Sequence, residues 1–114
     1  MNKKKDCIFC KIAGKEIDTE LVYDDDQVVV FPDINPQAPV HYLVVPKKHI
    51  KNLNLAEEKI LGHCMEITKS IARKMKIEEK GYRIVVNCNE QGGQEVEHLH
   101  FHVLGGRQMR WPPG

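Results

Sequence analysis

Three histidines alternate with apolar residues in the segment His98-Leu99-His100-Phe101-His102-Val103-Leu104. Successive side chains of a β-strand point to opposite faces, so a strand here would put the three imidazoles on one face. Leu99, Phe101 and Val103 would then enter a core. Alternate strand residues lie about 6.6–6.8 Å apart, which makes a row of imidazoles; a helix would scatter them. Half of the six histidines fall within these five residues. A neutral imidazole can attack phosphorus and form a phosphohistidine, splitting one displacement into two easier ones. An unperturbed histidine titrates near about 6.5, and a neighbouring cation would disfavour its protonation.

Just upstream, Gly92 and Gly93 let backbone N–H groups approach an anion closely, and Gln94 adds a side-chain donor. At the other end of the chain, Cys7 and Cys10 form a C-x-x-C pair. In a reducing compartment such a pair serves metal binding or redox chemistry, and no thioredoxin-like βαβ pattern surrounds it. Cys64 and Cys88 stand alone in apolar-patterned segments and read as small buried hydrophobes.

The elements that must position these groups follow from patterning. A chain of 114 residues is expected to make one domain, residues 1–114, with a loose stretch at 1–6 and a C-terminal tail at 105–114. Residues Cys7 to about Lys15 suggest a short helix ending at Gly14. Glu20–Asp24 and Gln27–Phe31 read as a hairpin turned by Asp24-Asp25-Asp26, better explained as a solvated turn than as a calcium loop. Pro36 and Pro39 make the segment from Asp33 to Pro39 a loop. His41–Pro46 reads as a third strand with His41, Leu43 and Val45 on one face. A long amphipathic helix is predicted to start at Asn54 with Glu57 completing a capping box, and to stop at Gly81. Ile60, Leu61, Cys64, Ile67, Ile71, Ala72 and Met75 would form its apolar face. Tyr82–Asn87 and the histidine segment complete five strands, giving an antiparallel α+β domain.

Net charge is +1, with 17 basic and 16 acidic residues, which argues against a nucleic-acid polyanion or an anionic membrane as the main partner. Lys3-Lys4-Lys5 is followed by Asp6 and Cys7, where a signal peptide would need an apolar stretch. A cytoplasmic protein, with the nucleus as a second location, is the expectation.

The pattern resembles the signature of the histidine triad family of nucleotide hydrolases and transferases. The resemblance runs from Asp6-Cys7-Ile8-Phe9-Cys10-Lys11-Ile12 through the segment Asp33–Pro39 and Pro46-Lys47-Lys48-His49-Ile50 to the tail Gly105–Gly114. The tail is similar to that of the Hint branch, whose members include purine nucleoside phosphoramidases. The family's five-stranded antiparallel sheet with one long and one short helix is thereby implied.

The resemblance also implies roles. His100 would be the nucleophile that forms a nucleotidyl-histidine from the α-phosphate. His102 would contact the phosphate or assist the leaving group, and His41 would support the triad. Ile8, Phe9, Ile12, Phe31 and Ile34 match positions around a purine base, Asp33 matches the ribose contact, and Pro32 beside it is expected among the nucleotide-binding residues. Asn87, Gly93, Gln94, Glu95 and Val96 match the phosphate side. Cys7, Cys10, His49 and His98 match a Cys₂His₂ structural zinc site, one zinc per chain. A two-fold homodimer is implied, with Trp111 of each tail near the partner's leaving-group site. Relatives in this branch usually carry serine where Glu95 stands, and a carboxylate there should repel a phosphate unless it faces a leaving-group amine. Pro32 is a milder departure. The implied activity is hydrolysis of purine nucleoside 5′-phosphoramidates. Alternatives are a dinucleoside polyphosphate hydrolase, or a zinc-stabilised nucleotide-binding or scaffold module with little turnover.

Overall fold

Two apolar layers of opposite orientation sandwich one sheet, and β2 shows why. Val28, Val29, Val30 and Phe31 are all buried, although alternation along a strand sends them to opposite faces. The computed structural model describes residues 6–114, so the loose stretch expected at the N-terminus lies, for residues 1–5, outside the described residues. The elements in chain order are α1 (Ile8–Ala13), β1 (Tyr23–Asp24), β2 (Val28–Pro32), β3 (Val40–Pro46), a 3₁₀ turn (Leu53–Leu55), α2 (Glu58–Lys74), β4 (Tyr82–Val85) and β5 (Phe101–Gly105). The strands form one sheet in the order β1-β2-β3-β5-β4, every pair antiparallel. The α+β expectation of five antiparallel strands, one long helix and one short one therefore holds.

On one face Val28, Val30, Val44, Phe101 and Val103 meet Cys64, Ile67, Ile71 and Ala72 of α2. These helix positions recur at three- and four-residue steps and make one buried stripe. Thr68 lies within that stripe, and its hydroxyl donates to the Cys64 carbonyl at 2.8 Å, so no buried polar group is left over there. On the other face Val29, Phe31, Leu43 and Val45 pack against Phe9, Ile12 and Ala13 of α1. Six residues are too few to hold a helix alone, so α1 depends on this contact.

The long helix departs from its expected ends. Asn54 sits inside the 3₁₀ turn, and Glu57 is the N-cap, with extended backbone and no side-chain capping bond. Leu53 and Ala56 pack onto the core and keep the backbone at Ala56 extended, which separates the turn from the helix. At the other end the helix stops at Lys74, well before Gly81. Lys76 takes a left-handed φ of 59°, and Ile77 N–H donates to the Ala72 carbonyl while Lys76 N–H donates to that of Arg73. This is a Schellman closure, driven by burial of Ile77 in the core. Gly81, with φ of 110°, instead opens β4. The outer strands are also shorter than expected: β1 keeps only Tyr23–Asp24 of Glu20–Asp24, and β4 ends at Val85, two residues before Asn87.

The three-aspartate turn is more than a solvated bend. Asp25 Oδ1 accepts the N–H groups of Gln27 and Val28, both at 2.7 Å. Its Oδ2 accepts the Tyr23 hydroxyl at 2.8 Å and lies 2.7 Å from His63 Nε2 on α2. Burial by itself would raise the Asp25 carboxyl, but these bonds outweigh it and hold the pKa at about 2. A depressed carboxylate stabilises the fold above its unfolded value, near 3.9, and that stability is lost as pH falls toward 2.

Two outcomes follow from these end groups. Lys76→Gly should raise stability by about 0.5–1 kcal/mol, since glycine adopts the left-handed region without the Cβ clash. A lower melting temperature would show that lysine is favoured there by contacts. Asp25→Asn should cost about 1–2 kcal/mol at neutral pH and flatten the loss of stability between pH 4 and 2. Denaturant titrations giving equal acid slopes for both proteins would remove the clasp from the stability of the fold.

Candidate functional site

The histidine segment divides into two parts. β5 begins only at Phe101, whereas the expected strand began at His98. In the β3–β5 register Val44 stands opposite Phe101, which would set Leu99 opposite Pro46, a residue with no N–H for the ladder. Leu99 N–H donates instead to the Ile50 carbonyl at 2.7 Å. Alternation nevertheless survives: Leu99, Phe101 and Val103 are buried together in the α2-facing cluster. Directly opposite residues share a face, so the Leu43–His102 pair places His102 on the α1 side, with His41 as its diagonal neighbour.

Each imidazole has one nitrogen committed to a backbone or neighbouring group, and this fixes where its proton sits. His100 Nδ1 lies 2.7 Å from the His98 carbonyl, which can only accept, so Nδ1 carries the proton and Nε2 keeps its lone pair. His98 Nε2 lies 2.7 Å from the Pro46 carbonyl, which leaves the lone pair on Nδ1. His41 Nδ1 accepts the Gln37 N–H at 3.0 Å, so its proton is on Nε2. That Nε2–H reaches His102 Nδ1 at 2.9 Å, leaving the proton of His102 on its own Nε2. The His100 and His102 rings stand 5.0 Å apart, and the ring of Phe9 meets His100 edge-on at the same distance.

The assignment requires neutral rings, and burial provides them. Burial pushes His98 to about 4, with His49 and His100 adding to the fall against the Pro46 carbonyl. Burial, His100 and His41 together bring His102 to about 4 against the opposing pull of Asp33. His100 and His41 are also lowered by burial; for His100 the His98 carbonyl and the carboxylates of Asp33 and Glu95 act in the opposite sense. For His100 burial is the cause that lowers the pKa, in place of the neighbouring cation expected from the sequence.

Cys7, Cys10, His49 and His98 converge so that one ligand atom of each lies within 4.8 Å of all the others, a group that could hold a metal ion. Cys7 Sγ is 3.3 Å from His98 Nδ1, and Cys10 Sγ is 3.3 Å from His49 Nδ1 and 3.5 Å from His98 Nδ1. In a tetrahedral site with usual bond lengths, sulfur and nitrogen ligands stand about 3.5 Å apart. The lone pair of His98 Nδ1 faces the sulfurs because its other nitrogen is held by Pro46, the outer bond that metal-ligating histidines require. The donor set therefore fits an ion. Asp33, His41 and His102 also lie close enough to be considered. There the Gln37 N–H occupies Nδ1 of His41 and leaves Nε2 protonated, so that group makes a hydrogen-bond chain and offers no His41 lone pair.

The remaining expected site residues fall into three environments. Phe9, Ile12 and Phe31 are buried in the α1-side cluster, with Phe9 and Phe31 ring centroids 5.5 Å apart and Val96 packed beside them. Ile8, Pro32 and Ile34 are exposed, Ile34 completely. Asp33 is half-buried; its Oδ1 accepts Asn35 N–H at 2.8 Å and its Oδ2 lies 3.3 Å from His41 Nε2. Between the triad and Asn87, the loop is pinned by Gln94, whose amide donates to the carbonyls of Lys51 and Val96 and accepts Asn89 N–H. Asn87 is half-buried, whereas Gly93 and Glu95 are exposed. Gly93 has a φ of 77°, a conformation that favours glycine. Trp111 is 82% exposed and does not fold back onto its own chain. Cys64 is buried as expected, while Cys88 is half-buried in the loop. What sequence reasoning missed are the backbone groups of Pro46, His98 and Gln37, which carry no side-chain signal.

Comparison with known proteins agrees with this arrangement. The HIT domain family model matches residues 14–109. A protein of Synechococcus elongatus described as an uncharacterized HIT-like protein is 49% identical over 113 residues, covering 96% of this chain and 98% of the relative. The crystal structure of a HIT family hydrolase from Legionella pneumophila superposes with a TM-score of 0.92 at 48% identity, covering 95% of this chain and 99% of the other. A histidine triad protein from Clostridium difficile gives 0.88 at 46% identity, covering 92% and 94%. With its histidine segment, sheet order and near full-length relatives in agreement, the chain belongs to the HIT family.

Proposed function

We propose that this protein hydrolyses purine nucleoside 5′-phosphoramidates through a nucleotidyl-His100 intermediate. The observation that carries the reading is the tautomer pattern: a lone pair on His100 Nε2 beside a proton on His102 Nε2. His100 Nε2 would attack the α-phosphorus as the P–N bond breaks, and the leaving nitrogen would take a proton from water and depart as the amine. The Nε2–H of His102 would hold a phosphate oxygen or the leaving atom. Water then cleaves the P–N bond to His100, releasing a nucleoside 5′-monophosphate and restoring the neutral imidazole. The Legionella relative described as a hydrolase supports the reaction class.

Ile8, Phe9, Ile12, Phe31, Pro32 and Ile34 would face the base, and the free lone pairs of Asp33 would accept the ribose hydroxyls. Asn87, Gly93, Gln94, Glu95 and Val96 would flank the phosphate, with Glu95 favouring an amine as leaving group. The exposed Trp111 supports a homodimer in which each tail reaches the partner's site. The four partly exposed residues of the edge strand β4 offer a self-complementary surface for it. Zinc is the ion proposed for Cys7, Cys10, His49 and His98, in a closed structural role that tethers α1 to the segment before β5. No helix among the described residues is long and apolar enough to cross a membrane.

His100→Ala should lower turnover of an adenosine phosphoramidate by at least about a thousandfold while retaining nucleotide binding. Mass spectrometry of quenched wild-type reactions should place one nucleotidyl group on His100. Activity surviving in the variant, or a label elsewhere, would overturn the assignment, and nucleotide binding without turnover in the wild type would favour a binding module. For the ion, elemental analysis of protein purified without added metal should give about one zinc per chain. Chelation or Cys7→Ser should lower the melting temperature; metal-free protein with unchanged melting would leave the two cysteines as bystanders or redox thiols.

A further inference from the structure

The segment after β5 reaches the triad through the loop between β2 and β3. Gly106 has a φ of 89°, and a Cβ built on it would come within 2.9 Å of Pro39 Cβ and 3.2 Å of Pro39 Cγ. Only glycine lets the backbone lie this close to Pro39. The next residue, Arg107, donates from Nε to the Gln37 carbonyl at 3.0 Å and from an Nη to the Gln108 carbonyl at 3.1 Å. Two consecutive residues therefore hold the loop at Pro39 and at Gln37. The Gln37 N–H is the donor that fills Nδ1 of His41, and Nε2 of His41 is the donor that fills Nδ1 of His102.

The direction of that chain matters. Were the Gln37 N–H withdrawn, a neutral His41 could move its proton to Nδ1 and accept at Nε2 from His102. His102 Nε2 would then carry a lone pair, which repels the oxygens of a phosphate where a proton would attract them. Asp33 Oδ2, 3.3 Å from His41 Nε2, would face a lone pair as well. The Gln37 N–H held against His41 Nδ1 opposes this reversed arrangement.

We propose that Arg107 is a positioning residue for the reaction: by holding the Gln37 carbonyl it fixes that residue, whose own N–H lies in the preceding peptide unit, against His41 Nδ1, and so keeps the protons of His41 and His102 on their Nε2 atoms. The kinetic consequence rests on the phosphoramidate reading above, whereas the proton placement does not. In the full-length protein at neutral pH, the ¹⁵N resonances of both rings should report a protonated Nε2 and an unprotonated Nδ1. Arg107→Ala should shift the His102 nitrogens toward a mixture of tautomers. It should also lower kcat by about tenfold, with KM changed less than twofold. Gly106→Ala, which displaces the same contact from the Pro39 side, should act in the same direction. Arg107→Lys, which keeps one donor, should restore part of both readouts.

Unchanged His102 nitrogens in a folded Arg107→Ala protein would overturn the proposal, as would a loss of kcat without any change in tautomer. If the wild type turns over no phosphoramidate, the functional reading fails on that result. The ring-nitrogen measurement, which needs no substrate, still decides the role of Arg107.

Discussion

The bond from His98 Nε2–H to the Pro46 carbonyl decides more than its 2.7 Å suggests. Proline at the end of β3 offers no N–H to a pairing strand, so the ladder stops and its carbonyl is left to be satisfied by a side chain. His98 takes that carbonyl, and in doing so turns its other nitrogen toward Cys7 and Cys10. The carbonyl of His98 itself then accepts from His100. One interrupted ladder thus directs the first histidine to the sulfurs and sets the tautomer of the second.

Burial makes this orientation useful. A charged imidazole would donate from both nitrogens and could neither ligate an ion nor attack phosphorus. Packing of α1 over the sheet removes water from His98 and His100, and the cost of charging them in that setting keeps them neutral. The same small helix therefore contributes Cys7 as its N-cap, Cys10 in its first turn and, between them, the dry wall formed by Phe9. The apolar cluster that holds α1 also supplies, through Phe9, the wall beside the His100 ring.

Much of this was legible in the sequence, for definite reasons. Period-two burial of Leu99, Phe101 and Val103 and the stripe from Cys64 to Ala72 follow from side-chain hydrophobicity, which a sequence displays directly. Convergence of Cys7 and Cys10 with His49 and His98 was reached through family resemblance, since spacing alone left redox chemistry open. The ends of α2 were misjudged because capping propensities at Asn54 and Gly81 yielded to tertiary packing of Leu53, Ala56 and Ile77. The tautomers were beyond reach: they depend on peptide groups of Pro46, His98 and Gln37, whose orientation no residue type announces.

The bond between Cys7 and His98 spans 91 positions of the chain. During synthesis the cysteine segment emerges early; His49, the partner of Cys10, follows 39 positions later, but His98, which meets both sulfurs, comes only after the long helix and β4. Helix α1, too short to persist by itself, has nothing to dock on until β2 and β3 are paired. The two thiols consequently spend the ribosome-bound interval unsheltered, and the complete cluster of two cysteines and two histidines is among the last parts of the molecule to exist. A nascent chain halted before His98 would carry three of the four clustered side chains and none of the triad.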